Sequence, residues 1–400
     1  MSTSLSVERI LSACSDLSFD GGISVSTNLV PLAGLGAPVK PAIYAQGHYQ
    51  MDKRWDHSVE PPEPVDVVVI DNVPSQANRL EAALESVAPE LGLPRVVMDL
   101  SGLGNLPAHL PRELSGFRFP HRQADAYLRD ATLGGEAFPK TELGRALLSS
   151  SAEDVTALLQ WFPQAALFGF WQSHLGKKQS QAKLARSWVS EIVGYRPAST
   201  STRVLGLKGD PINLSVDAPA EFNPDDLVGG KPWRIVDGTK KGDGKTKERL
   251  SELGHGQVPV NPADASPAAI SFARVEQTST VSFAGLRRVR AGSADASAAA
   301  RALLVALGIT AHVTAFGRSF SLRSGCDLRP DQVAWRWVGE QDEVLAAPTF
   351  EEARDLLAGC AAAAEGLGLP VGSRWAAEPL VLQPADNLAS AIRSTWSLEG

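Results

Sequence analysis

The sequence predicts a globular protein in which β-strands and α-helices are mixed, built as one large elaborated domain or as two domains. Its 400 residues exceed the usual size of a single hydrophobic core. A hydrophobic content of 44% with 21% charged residues supplies enough apolar surface for a sizeable core, which excludes the fibrous and disordered classes. Residues 65–88 show the mixture locally, because a strand pattern, a turn and a helix pattern follow one another directly.

That strand pattern is the β-branched run VDVVVI at 65–70, which is long enough for a buried strand. Apolar residues at helical spacing follow it, and Ser75 is a plausible N-cap of the predicted helix. Asn78 and Arg79 lie in the first turn, off the apolar stripe. A helix N-terminus beside an arginine can bind an anion, so phosphate contact and structural capping both remain open as roles for this turn.

Between this helix and residue 165, the sequence predicts a strand at 95–100 and helices that begin near 119 and 153. In the first of these two helices, His121 and Asp125 are i, i+4 neighbours. A catalytic pair is conceivable, but we interpret it as a capped helix start with a local ion pair, because the chain has no G-x-S-x-G nucleophile motif. Arg122 near the helix start is a second possible anion contact.

Residues 167–194 are the stretch around which the remaining motifs are arranged. An apolar aromatic run leads into a polar turn, a Lys-Lys loop and a predicted helix. At 100° per residue, one side of this helix is apolar and the other carries basic and hydroxyl groups. That polar side is either a solvated charged face or a surface that binds a ligand. The candidate contacts of the stretch are Trp171 at the end of the aromatic run, Ser173 and His174 in the turn, and Lys183, Arg186 and Ser190 on the polar side of the helix.

Positive charge is concentrated in two stretches of an otherwise neutral body. The first 330 residues carry 34 basic and 34 acidic side chains, whereas residues 331–400 carry eleven acidic and four basic ones. Residues 177–210 hold seven basic side chains against two acidic, and residues 231–250 hold seven against three. Clustered cations within a neutral chain are compatible with a groove that follows phosphates.

The Pro-, Gly-, Asp- and Lys-rich residues 218–246 are predicted to form a mobile basic loop. This loop ends in Gly-Lys-Thr, like a P-loop. However, Gly238 and Gly244 enclose five residues where a P-loop has four, so the sequence argues against nucleotide binding. Residues 270–283 alternate like strands, and an Ala-rich helix at 294–307 is predicted to stop at Gly308.

We expect a cytoplasmic protein with reduced thiols. No apolar run approaches the roughly 18 residues of a membrane span, and the N-terminus lacks a basic region followed by an apolar one. Cys14, Cys326 and Cys360 are few and far apart, which predicts packed thiols rather than disulfides or a cysteine zinc site.

Seven short motifs, taken together and in order, resemble a known family. They are DNVPSQANRLE, PHRQADA, LFGFWQSH, LARSWVSEIVG, KTKERLSELGHGQVP, FAGLRRVR and LRSGCDL, and the similarity runs from about residue 29 to residue 328. The chain thereby resembles the backbone subunit of type I-G (formerly I-U) CRISPR effector complexes, in the RAMP superfamily. Asn72 departs from the family pattern, which has a small hydroxyl residue there.

The resemblance implies an α+β fold, namely a modified RRM-like, ferredoxin-type palm with large insertions over residues 1–330. Residues 331–400 would be an acidic C-terminal extension whose role is unknown. The loop at 218–246 is the candidate thumb, and its part at 231–246 is expected to wedge the guide and touch the next subunit.

The implied function is non-catalytic and needs no cofactor and no metal. Copies of the subunit would polymerise along the spacer of a CRISPR guide RNA and present it for pairing with target DNA. The implied partners are further copies of the chain, the large subunit, the subunit that caps and processes the guide, and a recruited helicase-nuclease. A membrane is not among them.

Such a subunit grips RNA without reading its sequence, through Lys, Arg, Ser and Asn at phosphates and 2′-hydroxyls and through aromatic rings at base faces. We therefore predict RNA contacts from Asn78, Arg79, Arg122, Trp171, Ser173, His174, Lys183, Arg186, Ser190, Arg203, Lys247, Arg249, His255, Arg287, Arg288 and Arg323. The competing hypothesis is a metal-dependent nuclease or hydrolase that uses His121, Asp125, His174 and His255. It requires these side chains to converge on an ion, and the sequence offers neither H-E-x-x-H nor a carboxylate cluster.

Overall fold

The computed structural model describes residues 3–44, 47–104, 106–172, 182–198, 268–375 and 378–396, with residues 212 and 214 and three short strands between 219 and 249. The described α-helices are α1 (Val7–Ala13), α2 (Val73–Leu91), α3 (Ala126–Arg129), α4 (Glu142–Leu148), α5 (Thr156–Trp161), α6 (Pro163–Phe168), α7 (Phe283–Leu286), α8 (Ala294–Phe316), α9 (Phe350–Gly366) and α10 (Asp386–Trp396). Short 3₁₀ turns lie at Ser101–Leu103, Gly116–Arg118, Arg122–Ala124, Phe138–Lys140 and Gly372–Arg374.

The strands form one large sheet and three smaller ones. They are β1 (Gly22–Pro31), β2 (Met51–Asp56), β3 (Glu63–Asp71), β4 (Val96–Asp99), β5 (Glu113–Ser115), β6 (Ala131–Leu133), β7 (Glu136–Ala137), β8 (Phe170–Trp171), β9 (Lys183–Leu184), β10 (Trp188–Pro197), β11 (Pro219–Glu221), β12 (Arg234–Ile235), β13 (Lys247–Arg249), β14 (Phe272–Ser282), β15 (Phe320–Arg323), β16 (Cys326–Val338), β17 (Glu343–Leu345) and β18 (Leu380–Pro384). The smaller sheets have the orders β5-β4-β18-β6-β7, β12-β11-β13 and β8-β9.

The large sheet is antiparallel and has the order β15-β16-β1-β14-β10-β3-β2, with β17 paired to β16. Its four central strands, β16-β1-β14-β10, have the spatial order 4-1-3-2 when they are numbered along the chain. Helix α2 lies in the connection from β1 to β10, and α8 lies in the connection from β14 to β16. This is the β-α-β-β-α-β arrangement of the ferredoxin-like fold, which confirms the α+β, RRM-like prediction.

Helix α8 is the buried centre of the core and is longer than predicted. It continues through Gly308 to Phe316, because glycine is required at that position for packing. A Cβ atom at Gly308 would lie 2.4 Å from Cε3 of Trp188, so the indole ring occupies the space that a side chain would need. By length and composition α8 would suffice to cross a membrane, contrary to the expectation that no segment reaches that length. However, 83% of its most apolar window is buried inside the protein.

Helix α2 forms where it was predicted, but its N-cap is Asn72 rather than Ser75. The Asn72 side chain accepts a hydrogen bond from the backbone N–H of Ser75 at 3.1 Å. Asparagine and the small hydroxyl residues share this capping ability.

The helix predicted within residues 183–192 is wrong. The segment forms β9 and β10, and Trp188, Ser190 and Ile192 alternate towards the buried side of the sheet. Its β-branched and aromatic residues favour a strand, and β10 pairs along its length with β14 and β3. The apolar spacing that suggested a helix also fits this strand, because residues four positions apart, such as Trp188 and Ile192, share one face in either structure.

Residues beyond 330 are part of the same body, so the structure has no boundary at that position. Strand β16 runs across residue 330 in the large sheet, and Trp335 and Trp337 are buried in the main core. Helix α9 packs along α8, and β18 pairs with β4 in the second sheet. The acidic segment is therefore integrated into the fold.

The cysteines are packed thiols, as predicted. Cys14, Cys326 and Cys360 are buried and unbridged. Burial raises the pKa of Cys326 to about 11, so this thiol is protonated at neutral pH.

Candidate nucleic-acid interface

Two predicted RNA contacts, Arg79 and Arg323, converge on the carboxylate of Asp71 at the end of β3. Arg79 donates from Nε to Asp71 Oδ2 at 2.8 Å, and Arg323 donates from Nη2 to Oδ1 at 2.7 Å. Asp71 is fully buried, while the two arginine side chains keep 27% and 24% of their surface exposed. We call Asp71, Arg79 and Arg323 the Asp71 cluster.

Backbone carbonyls fix both guanidinium groups further. Arg79 also donates to the Leu322 carbonyl at 3.0 Å, and Arg323 donates to the carbonyls of Lys40 and Ile70 at 3.1 and 3.0 Å. One carboxylate faces two guanidinium groups, so the cluster keeps a net positive charge. It therefore presents immobilised, partly exposed donors of the kind that bind phosphate. Asn78, the next predicted contact, is exposed on the same turn of α2.

A buried hydrogen-bond chain supports the Asp71 cluster from behind. Gln76 donates to Asp71 Oδ2 at 2.6 Å and accepts from Ser190 at 2.9 Å. Ser279 Oγ donates to Ser190 Oγ at 2.9 Å and lies 3.5 Å from Nδ1 of His312. Ser190, predicted as an RNA contact, is thus 2% exposed and serves this chain.

A second group of predicted contacts lies around the two-stranded β8-β9 sheet. Trp171 pairs in register with Lys183, and both side chains are exposed, the indole by 56%. Arg288, also exposed, donates to the Ala185 carbonyl at 3.0 Å, while Arg186 donates to the Phe168 carbonyl at 3.2 Å. Trp171, Lys183, Arg186 and Arg288 form what we call the β8-β9 ribbon, in which an aromatic face adjoins positive charges.

Arg122, in contrast, is buried as a structural cation. It makes a two-pronged ion pair with Glu81 at 2.7 and 2.8 Å and donates to the Gly169 carbonyl at 2.8 Å. These bonds hold its backbone in the left-handed region, with φ of 56°. Burial raises the pKa of Glu81. The pKa of Arg186 is lowered, mainly by burial and to a smaller extent by the positive charge of Arg122. Arg122 therefore binds the carboxylate of Glu81 within the protein and does not present its guanidinium group to an external anion.

Arg287, the chain neighbour of Arg288, is half-buried and bonds to the turn that precedes β1. Its Nη2 donates to the carbonyls of Ser18 and Asp20 at 2.6 and 2.7 Å. Several other predicted contacts fall outside the residues or side chains that the structure describes. They are Ser173, His174, Arg203 and His255, with the side chains of Lys247 and Arg249 on β13. Most of the candidate thumb at 218–246 also lies outside the described residues.

Asp125 caps a helix start, as the sequence predicted, but the helix is α3 and begins at Ala126 rather than near residue 119. Asp125 accepts from the backbone N–H of His121 at 3.0 Å and from that of Tyr127 at 3.0 Å, where it caps α3. Within the described ranges, no group of three or more His, Cys, Asp or Glu side chains could hold a metal ion. His174 and His255, the other members of the hypothetical metal site, lie outside those ranges.

Sequence reasoning missed Asp71 and Gln76 as members of the site. Asp71 directly follows a β-branched strand and precedes a helix start, which was a usable signal for a buried carboxylate. The pairing of Asp71 with Arg323 gave no signal, because the two residues are 252 positions apart.

Residues 23–198 match the family model of the CRISPR-associated protein GSU0053. The search among curated proteins found no match. The matched range contains Asp71, Arg79, Trp171, Lys183 and Arg186, which are members of both surfaces described above. Over these residues the chain is therefore similar to a family of CRISPR-associated proteins, which supports a role in a CRISPR system.

Proposed function

We propose that this chain is a guide-RNA-binding backbone subunit of a type I-G CRISPR effector complex. In this role its copies line up along the spacer of the guide and present it for pairing with target DNA. The observation that carries the proposal is the Asp71 cluster, in which two partly exposed guanidinium groups are fixed by one buried carboxylate. The family match over residues 23–198 and the ferredoxin-type strand order support it.

The chemistry of the two surfaces suits a grip that is independent of sequence. Fixed guanidinium groups bind phosphate oxygens with little loss of side-chain entropy, and every nucleotide offers a phosphate. The Trp171 ring offers a stacking face that accepts any base, beside the ammonium group of Lys183. Specificity is then left to base pairing between guide and target, as in other RNA-guided systems.

The proposed subunit is non-catalytic, works in the cytoplasm and requires no cofactor. Its proposed partners are the guide RNA, further copies of the chain, the large subunit, the subunit that caps and processes the guide, and a helicase-nuclease that joins the complex. The acidic residues 331–400 belong to the same folded body, so we assign them no separate activity.

The experiment that tests this function is purification of the full chain from cells that express a CRISPR array. We expect RNA of defined length to co-purify and to carry several copies of the protein. Incubation of the purified protein with this RNA and Mg²⁺ or Mn²⁺ should leave the RNA intact. Absence of bound RNA would contradict the proposal, and so would cleavage that His121→Ala abolishes.

A further inference from the structure

A cavity of about 590 Å³ lies between the C-terminal end of α8, the start of α9 and strands β1 and β16. We call it the α8-α9 cavity. Its volume falls within the range of roughly 300–1,000 Å³ that is typical of ligand pockets. It opens to solvent beside Val333, which is 42% exposed. Aromatic and branched side chains form most of its wall, among them Val313, Phe316, Val333, Trp335 and Phe350.

Two polar side chains of the core also line this apolar space. His312 on α8 is 4% exposed and Thr27 on β1 is 2% exposed. Within the described part of the chain, neither His312 Nε2 nor the Thr27 hydroxyl group makes a hydrogen bond. Buried polar groups normally have a partner, so these two groups can bind a polar group that enters the cavity.

The buried hydrogen-bond chain behind the Asp71 cluster determines which ring nitrogen of His312 carries the proton. A carboxylate only accepts, so the Gln76 amide turns its NH₂ group to Asp71 and its oxygen to Ser190. Ser190 donates its single hydroxyl proton to Gln76 and therefore accepts from Ser279. Ser279 has then used its own hydroxyl proton, and its oxygen can only accept a further hydrogen bond.

The remaining contact of Ser279 Oγ is with Nδ1 of His312, at 3.5 Å. Nδ1 is the donor in this contact, because the Ser279 proton is already directed at Ser190. Burial lowers the pKa of His312 to about 4, so the imidazole ring is neutral at pH 7 and carries one proton. With that proton on Nδ1, Nε2 presents a lone pair and accepts hydrogen bonds.

This polarity of Nε2 selects the chemistry of the ligand. A carboxylate or carbonyl oxygen would place one acceptor against another, and an ammonium group would lose its hydration between apolar walls. A hydroxyl group fits, because it donates to His312 Nε2 and also accepts from the hydroxyl group of Thr27. The aromatic rings of Phe316, Trp335 and Phe350 suit a ligand whose body is itself aromatic.

We propose that the α8-α9 cavity binds a small, neutral, hydroxylated aromatic molecule. The hydroxyl group of this ligand donates to Nε2 of His312, and its rings pack against Phe316 and Trp335. The site is distinct from the proposed RNA grip, since the described residues that line the cavity include no member of the Asp71 cluster or the β8-β9 ribbon.

Isothermal titration calorimetry of the full chain at pH 7 tests the site with three probes that share one ring system. Naphthol carries the hydroxyl group, methoxynaphthalene keeps the oxygen without its proton, and naphthoate carries a charged acceptor. We expect naphthol to bind roughly tenfold or more tightly than either of the others, because they leave Nε2 buried without a partner. Equal affinities for naphthol and methoxynaphthalene would overturn the proposal, and so would tighter binding of naphthoate.

The variant His312→Phe tests the assigned hydrogen bond. It removes the acceptor and keeps a ring among Trp188, Trp335 and Phe316. In this variant naphthol and methoxynaphthalene should bind with similar affinities, because the hydroxyl group of naphthol has lost its partner. A preference for naphthol as large as that of the wild type would overturn the role of Nε2.

The variant Val333→Trp tests the location, because a larger side chain at this half-open part of the wall fills the space that the ligand needs. The matched control is Val344→Trp, since Val344 is 58% exposed on β17 and is not one of the residues that line the cavity. Thermal unfolding of each variant shows that it is folded. We expect Val333→Trp to lose roughly tenfold or more in naphthol affinity, while the control binds like the wild type. Equal naphthol affinities of the two variants would overturn the assignment of the ligand to this cavity.

Discussion

Arg323 Nη2 on β15 lies 2.7 Å from Asp71 Oδ1 at the end of β3, although 252 positions separate the two residues in the sequence. Arg79 on α2 occupies the other carboxylate oxygen at 2.8 Å. A buried anion therefore joins a strand, a helix and a distant hairpin, and it fixes two cations at the surface. The fold and the proposed RNA grip depend on the same side chain.

Asp71→Asn should lower the free energy of unfolding by about 3 kcal/mol, because it leaves two guanidinium groups without their buried counter-ion. Urea denaturation of the full chain measures this loss. Asp66→Asn is the matched control, since Asp66 pairs with Lys53 but is 61% exposed. The control should change stability by less than about 1 kcal/mol. Equal effects of the two substitutions would contradict the structural role of Asp71.

Ser190→Ala should destabilise the protein by about 1–3 kcal/mol and leave the salt dependence of RNA binding unchanged. The hydroxyl group is buried and joins Gln76 to Ser279, so its removal leaves polar groups with fewer partners in the core. Urea denaturation and a salt titration of RNA binding report the two effects separately. A shallower salt slope with unaltered stability would instead place Ser190 at the RNA.

Gly308→Ala should destabilise the protein by about 1–3 kcal/mol, even though alanine is the better helix former. The new methyl group would lie 2.4 Å from Cε3 of Trp188 and would push the indole ring out of place. Gly366→Ala, at the end of α9, is the control because no atom lies within 4 Å of its Cβ position. The control should be neutral or stabilising in thermal unfolding, and a stable Gly308→Ala variant would refute the packing argument.

Stability should fall as the pH is lowered from about 6.5 towards 4, because of His312. Burial lowers the pKa of His312 to about 4, whereas an unfolded chain has a histidine pKa near 6.5. Between these values the unfolded state binds the proton and the folded state does not, so up to ~1.4 kcal/mol is lost per pH unit. The raised pKa of Glu81 acts in the opposite direction, because the folded state then binds a proton more readily than the unfolded state.

His312→Phe isolates the histidine contribution, since it keeps a ring among Trp188, Trp335 and Phe316. Urea denaturation at several pH values should show a flatter dependence in this variant between about pH 6.5 and 4. Identical slopes in the variant and the wild type would contradict the assignment.

Local sequence patterns were sufficient for much of the fold. The β-branched run of β3, the amphipathic spacing of α2 and the alternation of β14 each reflect a single element, and each forms where it was predicted. Residues 183–192 were predicted wrongly because apolar residues four positions apart, such as Trp188 and Ile192, share one face in a strand as well as in a helix. The end of α8 was predicted wrongly because Gly308 packs against Trp188 from a different element, which no local pattern reveals.

Local sequence patterns also predicted part of the candidate site. Arg79 lies off the apolar stripe of α2, so a local pattern correctly places it at the surface. Lys183 is also exposed, but it lies on strand β9 and not on the predicted helix. Arg122 and Ser190 have the same side-chain chemistry, but they are buried by Glu81 and Gln76, which lie far from them in sequence. Burial by distant elements decides which polar residues face a ligand.

The most direct test of the proposed RNA grip is the slope of log K against log salt concentration for binding to single-stranded RNA. The variant Arg79→Gln with Lys183→Gln removes one cation from the Asp71 cluster and one from the β8-β9 ribbon, while Arg323 still pairs with Asp71. Arg129→Gln is the control, because Arg129 pairs with Asp130 and belongs to neither the Asp71 cluster nor the β8-β9 ribbon. If both cations contact phosphates, the slope should become shallower by roughly 1.4, at about 0.7 per contact. A slope equal to that of the wild type would contradict the account.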